Sequence, residues 1–382
     1  MTTPAPPSAS RIIELDALRG LAVIGIVWMN VYVFAMPSQG YYNPLASGVA
    51  EGPFDRLVWA TSFTFIEDKF RTLFAMLFGA GFIVLLEKGG DRPWRAHFAR
   101  MGVLFAIGLF HSIAFASNDI LRAYALAGCA LPFVAHLSPR ALVAIAIGLV
   151  VVHLGGGIVA FGGAIYDWSQ GRTYTDIVLM TERNFGHDPR AVTFSLERGS
   201  EAFLDRVSRR IDGLSAQLSV ILGAVPINLA AMTLGMAFWK AGMFKGEWRT
   251  FRLQRLAAVC AVFSIPVLLW IAYGVSEYGF LGVHVGPASL IASAPFDTAL
   301  GVAYATLAMA LFTKGGAITK RLAAVGRLSL TNYLMTSVIL AAIFANWGFG
   351  LFGQVTRAEA FALSFVPIAA MLIWSPIWVD RL

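Results

Sequence analysis

Ten apolar runs separated by short polar segments make up most of the chain. They lie near 17–36, 69–87, 98–117, 119–138 and 140–163, then 214–239, 254–274, 289–312, 328–346 and 359–377. Each approaches the ~20 residues a helix needs to cross a bilayer. The pattern predicts an all-α, polytopic transmembrane helix bundle of about ten helices. One long polar stretch, 164–213, divides it five and five. The organisation that follows is a tail at 1–16, an N-terminal membrane half at 17–163, an insert at 164–213 and a C-terminal half at 214–382. Five plus five invites an inverted-repeat reading, but no motif recurs between the halves. In the insert, Val192, Leu196, Phe203, Val207 and Ile211 fall at near-helical spacing. They predict an amphipathic helix that either lies on the outer surface or lids the bundle.

Composition agrees. The 382 residues are 58% hydrophobic and 13% charged, about half the ~25% charged residues of soluble domains. Residues 1–10, MTTPAPPSAS, read as a disordered tail. The apolar run after them is long enough, and polar enough at Asn30, to be a retained helix rather than a cleaved leader. Charge distribution then sets the topology. With the N-terminus inside, cytoplasmic segments hold 17 of the 29 Lys and Arg, from Arg11 and Arg19 through Lys88–Arg100, Lys240–Arg255 and Lys314–Arg327 to Arg381. Short external segments hold five: Arg56, Lys69, Arg71, Arg122 and Arg357. The other seven sit in the insert beside eight acids, and long segments translocate regardless of charge. Both termini are therefore expected in the cytoplasm, in an inner cell membrane crossed many times. The net charge of +7 reflects this bias and does not indicate a nucleic-acid partner. Cys129 and Cys260 lie in apolar runs and suggest neither a disulfide framework nor a metal site.

The most informative polar residues open the first run, RIIELDALRGLAVIGIVWMN at 11–30. Asp16 and Arg19 stand at i, i+3 and can pair on one face. Arg19 and Asn30 are eleven residues apart, so they differ by about 20° in azimuth and roughly 16 Å along the axis. A helix with one polar stripe should face other helices or a wet cavity. Ionisable residues at such positions point to function by default.

This opening, R-x3-L-D-x2-R-G-x-A-x2-G-I-x3-N, resembles the start of the YeiB-like bacterial membrane proteins. It is more distantly similar to the transmembrane acyltransferases that include heparan-α-glucosaminide N-acetyltransferase. Three further blocks resemble the YeiB-like pattern: DKFRTLFAMLFGAGF at 68–82, LFHSIAFASNDILRAYALAG at 109–128 and GRLSLTNYLMTSVI at 326–339. The resemblance implies a multi-pass membrane protein with a domain of unknown function. Through the distant relatives it also implies acyl transfer. Those acetyltransferases carry a histidine in the loop after helix 1. Here Pro37–Phe54 holds none, so that histidine has no counterpart. The YeiB-like pattern also runs on past the last helix with Gly-Pro-x-Glu-Trp-x-Trp-Arg, whereas this sequence stops at Asp380-Arg381-Leu382.

Topology sorts the remaining polar residues into two layers. The outer layer holds Asn30, Lys69, Arg71, His111, Asp119 and Arg122. The inner layer holds Asp16, Arg19, Arg100 and Arg327, with Ser329, Thr331 and Asn332 beyond. A histidine beside a carboxylate can act as general base near neutral pH, and Asp119, eight residues on, can face His111 across a tight turn. The alternative is a histidine bonded to a backbone carbonyl for packing alone. Arg19, Arg327 and Arg100 can offer planar guanidinium forks to phosphates. Phe70, Phe74 and Phe78 form a ridge that is either core or the wall of an acyl channel. Gly155–Gly157 lacks the preceding strand and following Lys-Ser/Thr of a phosphate loop, and reads as close helix packing. No metal-binding, P-loop or nucleophile-elbow motif occurs.

These residues suggest a transmembrane acyltransferase. Acyl-CoA would dock on the inner arginines, and His111, with Asp119 and Asn30, would deprotonate a small-molecule or glycan acceptor. Lys69, Arg71 or Arg122 would stabilise the oxyanion. A transporter for a small anionic metabolite, or a scaffold without a site, are the alternatives. The topology has a direct check. A cysteine placed at Thr175 should react with an impermeant reagent from outside the cell, and one at Gly246 should not. The reverse pattern would invert the two layers.

Overall fold

The computed structural model describes residues 12–89, 93–117, 119–312 and 315–381. The expected tail at 1–10, together with Arg11, Arg92 and Lys314, lies outside the described residues. All regular structure among them is helical. The N-terminal half comprises α1 (Ile13–Ala35), α2 (Pro53–Phe65), α3 (Lys69–Glu87), α4 (Pro93–Ala114), α5 (Ile120–Gly128), α6 (Leu131–Val134) and α7 (Pro139–Ser169). The insert folds as α8 (Asp176–Phe185), α9 (Pro189–Gly199) and α10 (Phe203–Asp212). The C-terminal half contains α11 (Leu214–Lys240), α12 (Thr250–Glu277), α13 (Gly282–Pro287), α14 (Ala294–Leu311), α15 (Ala317–Arg327), α16 (Ser329–Phe344), α17 (Arg357–Leu363) and α18 (Phe365–Val379).

The result is a polytopic helical bundle. Among the described residues eight helices are long and apolar enough to cross a membrane, and nine if the pair α15–α16, bent by 80°, counts as one. The fourth expected run, 119–138, breaks into α5 and α6, each too short to span by itself. Its ends nevertheless follow α4 along most of its length. Asp119 meets His111 near one end of α4, and the Gly128 carbonyl meets His97 near the other, at 2.9 Å. Beyond α6, Lys240 donates to the carbonyls of Ala135 and Leu137.

Segments expected on one side come together at one end. At the basic end Glu87 accepts from Trp239 at 2.9 Å and pairs with Lys245 at 3.5 Å. At the other end Gln39 reaches the Arg183 carbonyl, Asn43 those of Phe185 and Phe280, and Asn346 that of Ser200. The insert therefore packs over the bundle rather than standing apart. Its expected single amphipathic helix is two, because the chain turns at 200–202 between α9 and α10. Helix α7 also runs six residues past the expected start of the insert, to Ser169.

Local sequence explains where helices start and stop. Ser138 caps α7 through Ala141 N–H ahead of Pro139, and Thr356 with Glu359 forms a capping box on α17. Asp68, with φ of 61°, makes the turn between α2 and α3, a conformation Asp tolerates better than most residues. The outer helices α7 and α12 leave Ile147, Val151, Val159, Val262 and Trp270 exposed. A continuous apolar surface of this kind suits lipid rather than water.

Helices meet where side chains are absent, as expected where lipid supplies no hydrophobic drive between them. A Cβ on Gly20 would lie 2.0 Å from the Leu322 carbonyl oxygen, and one on Gly326 1.8 Å from that of Asp16. This close crossing of α1 and α15 brings Asp16, Arg19 and Arg327 to one place. Replacing Gly20 or Gly326 by Val should therefore lower thermal stability in detergent by about 1–3 kcal/mol or more. Gly148, which has open space around it, should accept Ala with no loss. Equal tolerance at all three positions would show that the α1–α15 crossing is not close.

Candidate functional site

The inner arginines come together as the sequence suggested. A cavity of about 1230 Å³ opens at the basic end, bordered by Asp16, Arg19, Lys88, Arg100, Arg327 and Ser329. Asp16 is buried between two guanidinium groups, 2.8 Å from Arg19 Nη1 and 3.8 Å from Arg327 Nε. Arg100 and Lys88 border the cavity from α4 and the end of α3. One shared carboxylate leaves the wall net positive, since Glu87 is engaged by Lys245. Phe74, Phe78 and Phe82 line the same cavity. The aromatic ridge is thus wall at Phe74 and Phe78, while Phe70 packs in the core against Trp28 and Tyr304.

His111 and Asp119 also meet. His111 Nδ1 lies 2.9 Å from Asp119 Oδ1, and Nε2 lies 2.8 Å from Ser337 Oγ. Tyr333 O–H donates to the same Asp119 oxygen at 3.1 Å, and Arg122 N–H donates to the other at 3.2 Å. Asp119 is therefore both the N-cap of α5 and the partner of His111. All four side chains are buried, none more than 7% exposed. An ionised carboxylate only accepts, so Nδ1 carries the proton, and in the neutral imidazole Nε2 offers its lone pair to the Ser337 hydroxyl. This is the order of groups in a serine–histidine–aspartate relay.

Three of the other expected members of the outer layer, Asn30, Lys69 and Arg71, lie elsewhere. Asn30 is half-buried on α1, and no hydrogen bond joins it to His111 or Asp119 among the described residues. Lys69 is fully buried, donates to the Phe63 carbonyl and pairs with Asp297 of α14 at 2.5 Å. Arg71 pairs with Asp68 at 2.8 Å and reaches Asn228 at 3.3 Å. These residues sit near the middle of the 35-residue stretch Pro53–Glu87, not at the mouth of a helix, because α2 continues the rod outward. The Arg122 guanidinium turns to the Ser117 carbonyl.

Helix α16 connects the two regions. Ser329 borders the inner cavity, Tyr333 and Ser337 hold Asp119 and His111, and Ala341 borders a second cavity beneath the insert. These four residues recur every fourth position, so they drift only about 40° per step around one face.

Comparison with known proteins gives the same assignment as the opening motif. Residues 238–382 match the family described as protein of unknown function (DUF418). Along 97% of its length the chain is 29% identical to the uncharacterized protein YeiB of Escherichia coli (strain K12), of which it covers 92%. Along nearly its whole length the chain is thus similar to the YeiB-like proteins. A second relative, the uncharacterized protein YxaH of Bacillus subtilis (strain 168), is 26% identical over 97% of this chain and 90% of its own length. No solved structure matches this chain. The matched C-terminal region includes α16, so Tyr333, Ser337 and the inner residues Arg327 and Ser329 fall within it.

Sequence reasoning passed over Tyr333, Ser337 and Asp297. Tyr333 and Ser337 lie in the GRLSLTNYLMTSVI block at i, i+4, the spacing that puts two polar groups on one helix face. Asp297 stands in the sequence as a lone acid inside the run 289–312. The hydrogen-bond network has a measurable consequence. Thermal unfolding of Asp119→Ala, Tyr333→Phe and the double variant should be non-additive by about 1 kcal/mol, because one substitution removes the other's partner. Additive losses would show that Tyr333 and Asp119 do not share a bond.

Proposed function

We propose that this YeiB-like protein is a transmembrane acyltransferase of the inner cell membrane. It would move an acyl group from cytoplasmic acyl-CoA to a hydroxyl or amine of a small-molecule or glycan acceptor on the other side. One observation carries the reading: α16 borders a cavity at each end of the bundle and holds the buried His111–Asp119 pair between them. The distant resemblance of the opening motif to transmembrane acyltransferases supports it.

In this reading Arg19, Arg100 and Arg327 hold the phosphates of the donor, and Phe74 and Phe78 wall its acyl chain. The acceptor attacks the thioester carbonyl carbon, forming the new C–O or C–N bond as the C–S bond breaks. Its proton passes through Ser337 Oγ to His111 Nε2, and from there to the leaving thiolate. Asp119 keeps the histidine in the tautomer that can accept it. Of the three cations expected at the oxyanion, Lys69 and Arg71 already pair with carboxylates. Arg122 forms no such pair among the described residues, and is the one retained for that role. A second reading draws on the buried Lys69–Asp297 pair with Glu67 close in sequence and equally buried. Such intramembrane charges also mark transport pathways, here for a small anionic metabolite.

Titration calorimetry with acyl-CoA separates the two. Wild type should bind, and Arg19→Lys should bind about ten- to hundredfold more weakly, since charge-assisted hydrogen bonds are worth roughly 1.5–3 kcal/mol each. His111→Ala should keep that affinity while losing transfer, because the base acts in the transition state. Failure of the wild type to bind any acyl-CoA would end the acyltransferase reading. Uptake lost on breaking the Lys69–Asp297 pair would then support transport.

A further inference from the structure

The second cavity, about 400 Å³, lies beneath the insert. It sits between the ends of α1, α4 and α16 on one side and α9–α10 on the other. Four arginines border it: Arg198, Arg206, Arg209 and Arg210. The last three stand at i, i+3 and i+4 on α10, so they project from one face. No Asp or Glu borders the cavity among the described residues. Glu201 accepts from Arg209 Nε at 2.8 Å and also acts electrostatically on Arg206.

Arg198, Arg206 and Arg210 form no ion pair among the described residues. Arg206 Nη2 donates to the carbonyls of Gly199 and Glu201. Arg210 donates to those of Ile113 and Phe115 at the end of α4. Arg198 lies over the Phe194 ring, 4.8 Å from its centre. The buried Nε of Arg206 has no hydrogen-bond partner. Burial, with Arg206 and Arg209 alongside, pushes the Arg210 guanidinium down to about 10, and burial with Arg209 beside it lowers that of Arg206. Cations held this close weaken one another until an anion joins them. The rest of the wall is aromatic, including Phe34, Phe344 and Trp347.

We infer that this cavity binds the phosphate group of an extracytoplasmic molecule, and that this molecule is the acyl acceptor. The second clause rests on the acyltransferase reading; the first does not. Guanidinium forks match phosphate oxygens bidentately, and the aromatic wall fits the apolar or ring portion of the same ligand. Ala341 borders the cavity one helical turn from Ser337, which places a bound acceptor beside the proton relay.

The test uses the full chain in detergent with inorganic phosphate and with glycerol 1-phosphate as probes, followed by calorimetry. Wild type should bind both. Arg206→Gln should bind about ten- to hundredfold more weakly. Arg198→Gln, which breaks no backbone tie, should also weaken binding. Arg249→Gln at the opposite end should change nothing. Phosphate also has the inner arginines to bind, so Arg327→Gln serves as the second control. Affinity lost in Arg327→Gln but kept in Arg206→Gln and Arg198→Gln would overturn the site. No binding by the wild type would do the same. Repeating the titration in phosphatidylcholine nanodiscs with and without phosphatidylglycerol separates sources. Competition by the anionic lipid assigns the phosphate to a headgroup, and its absence to a soluble ligand; both keep the site. Acyl-CoA binding is read separately, so loss of the donor reading leaves this result standing.

Discussion

A charge removed from water into an apolar bundle must find a polar partner inside it, and the partners drawn from other helices organise the molecule. Lys69 of α3 is closed by Asp297 of α14, and Arg71 reaches Asn228 of α11. Asp119 at the start of α5 gathers His111 from α4 and Tyr333 from α16. Arg357, fully buried, donates to the Gly40 carbonyl and lies over the Tyr32 ring at 4.3 Å. Apolar packing alone gives lipid-embedded helices little preference for one neighbour over another. These directional contacts do, and removing one partner would strand a buried charge.

Close approach of backbones supplies the second half of the constraint. Gly20 and Gly326 let α1 and α15 cross with no side chain between them, and Gly79 and Gly235 do the same for α3 and α11. The first crossing carries Asp16, Arg19 and Arg327 to one wall of the inner cavity. The second sets α3, whose Phe74 and Phe78 form another wall. Packing without side chains thus creates the geometry in which long cationic side chains converge.

The bundle is divided chemically as well as geometrically. Its periphery is apolar and exposed, its two ends hold cationic cavities, and its buried middle holds neutralised pairs. Helix α16 crosses from one cavity to the other, and the 80° bend before it allows this. Helix α15 lies across α1, while α16 turns to meet α4 and α5. The insert completes the second cavity by tying Arg210 to the last carbonyls of α4, where a cation also suits the helix dipole.

The sequence by itself determined the class of molecule, because hydropathy over about 20 residues and the bias of Lys and Arg are local properties that a bilayer reads directly. It also determined that His111 and Asp119 could meet, since eight residues around a tight turn leave little freedom. The inner arginines were legible as a layer for the same reason: depth follows from helix rise. Azimuth and helix neighbours do not. Ser337 is 226 residues from His111, and Asp297 is equally remote from Lys69, so no spacing could name either. Asn30 shares a face with Arg19, yet which helix that face meets was decided by glycine crossings and not by periodicity. The arginines of α10 read only as part of an amphipathic helix. Tertiary structure alone placed it over a cavity, because burial of one helix face depends on what the other helices leave open.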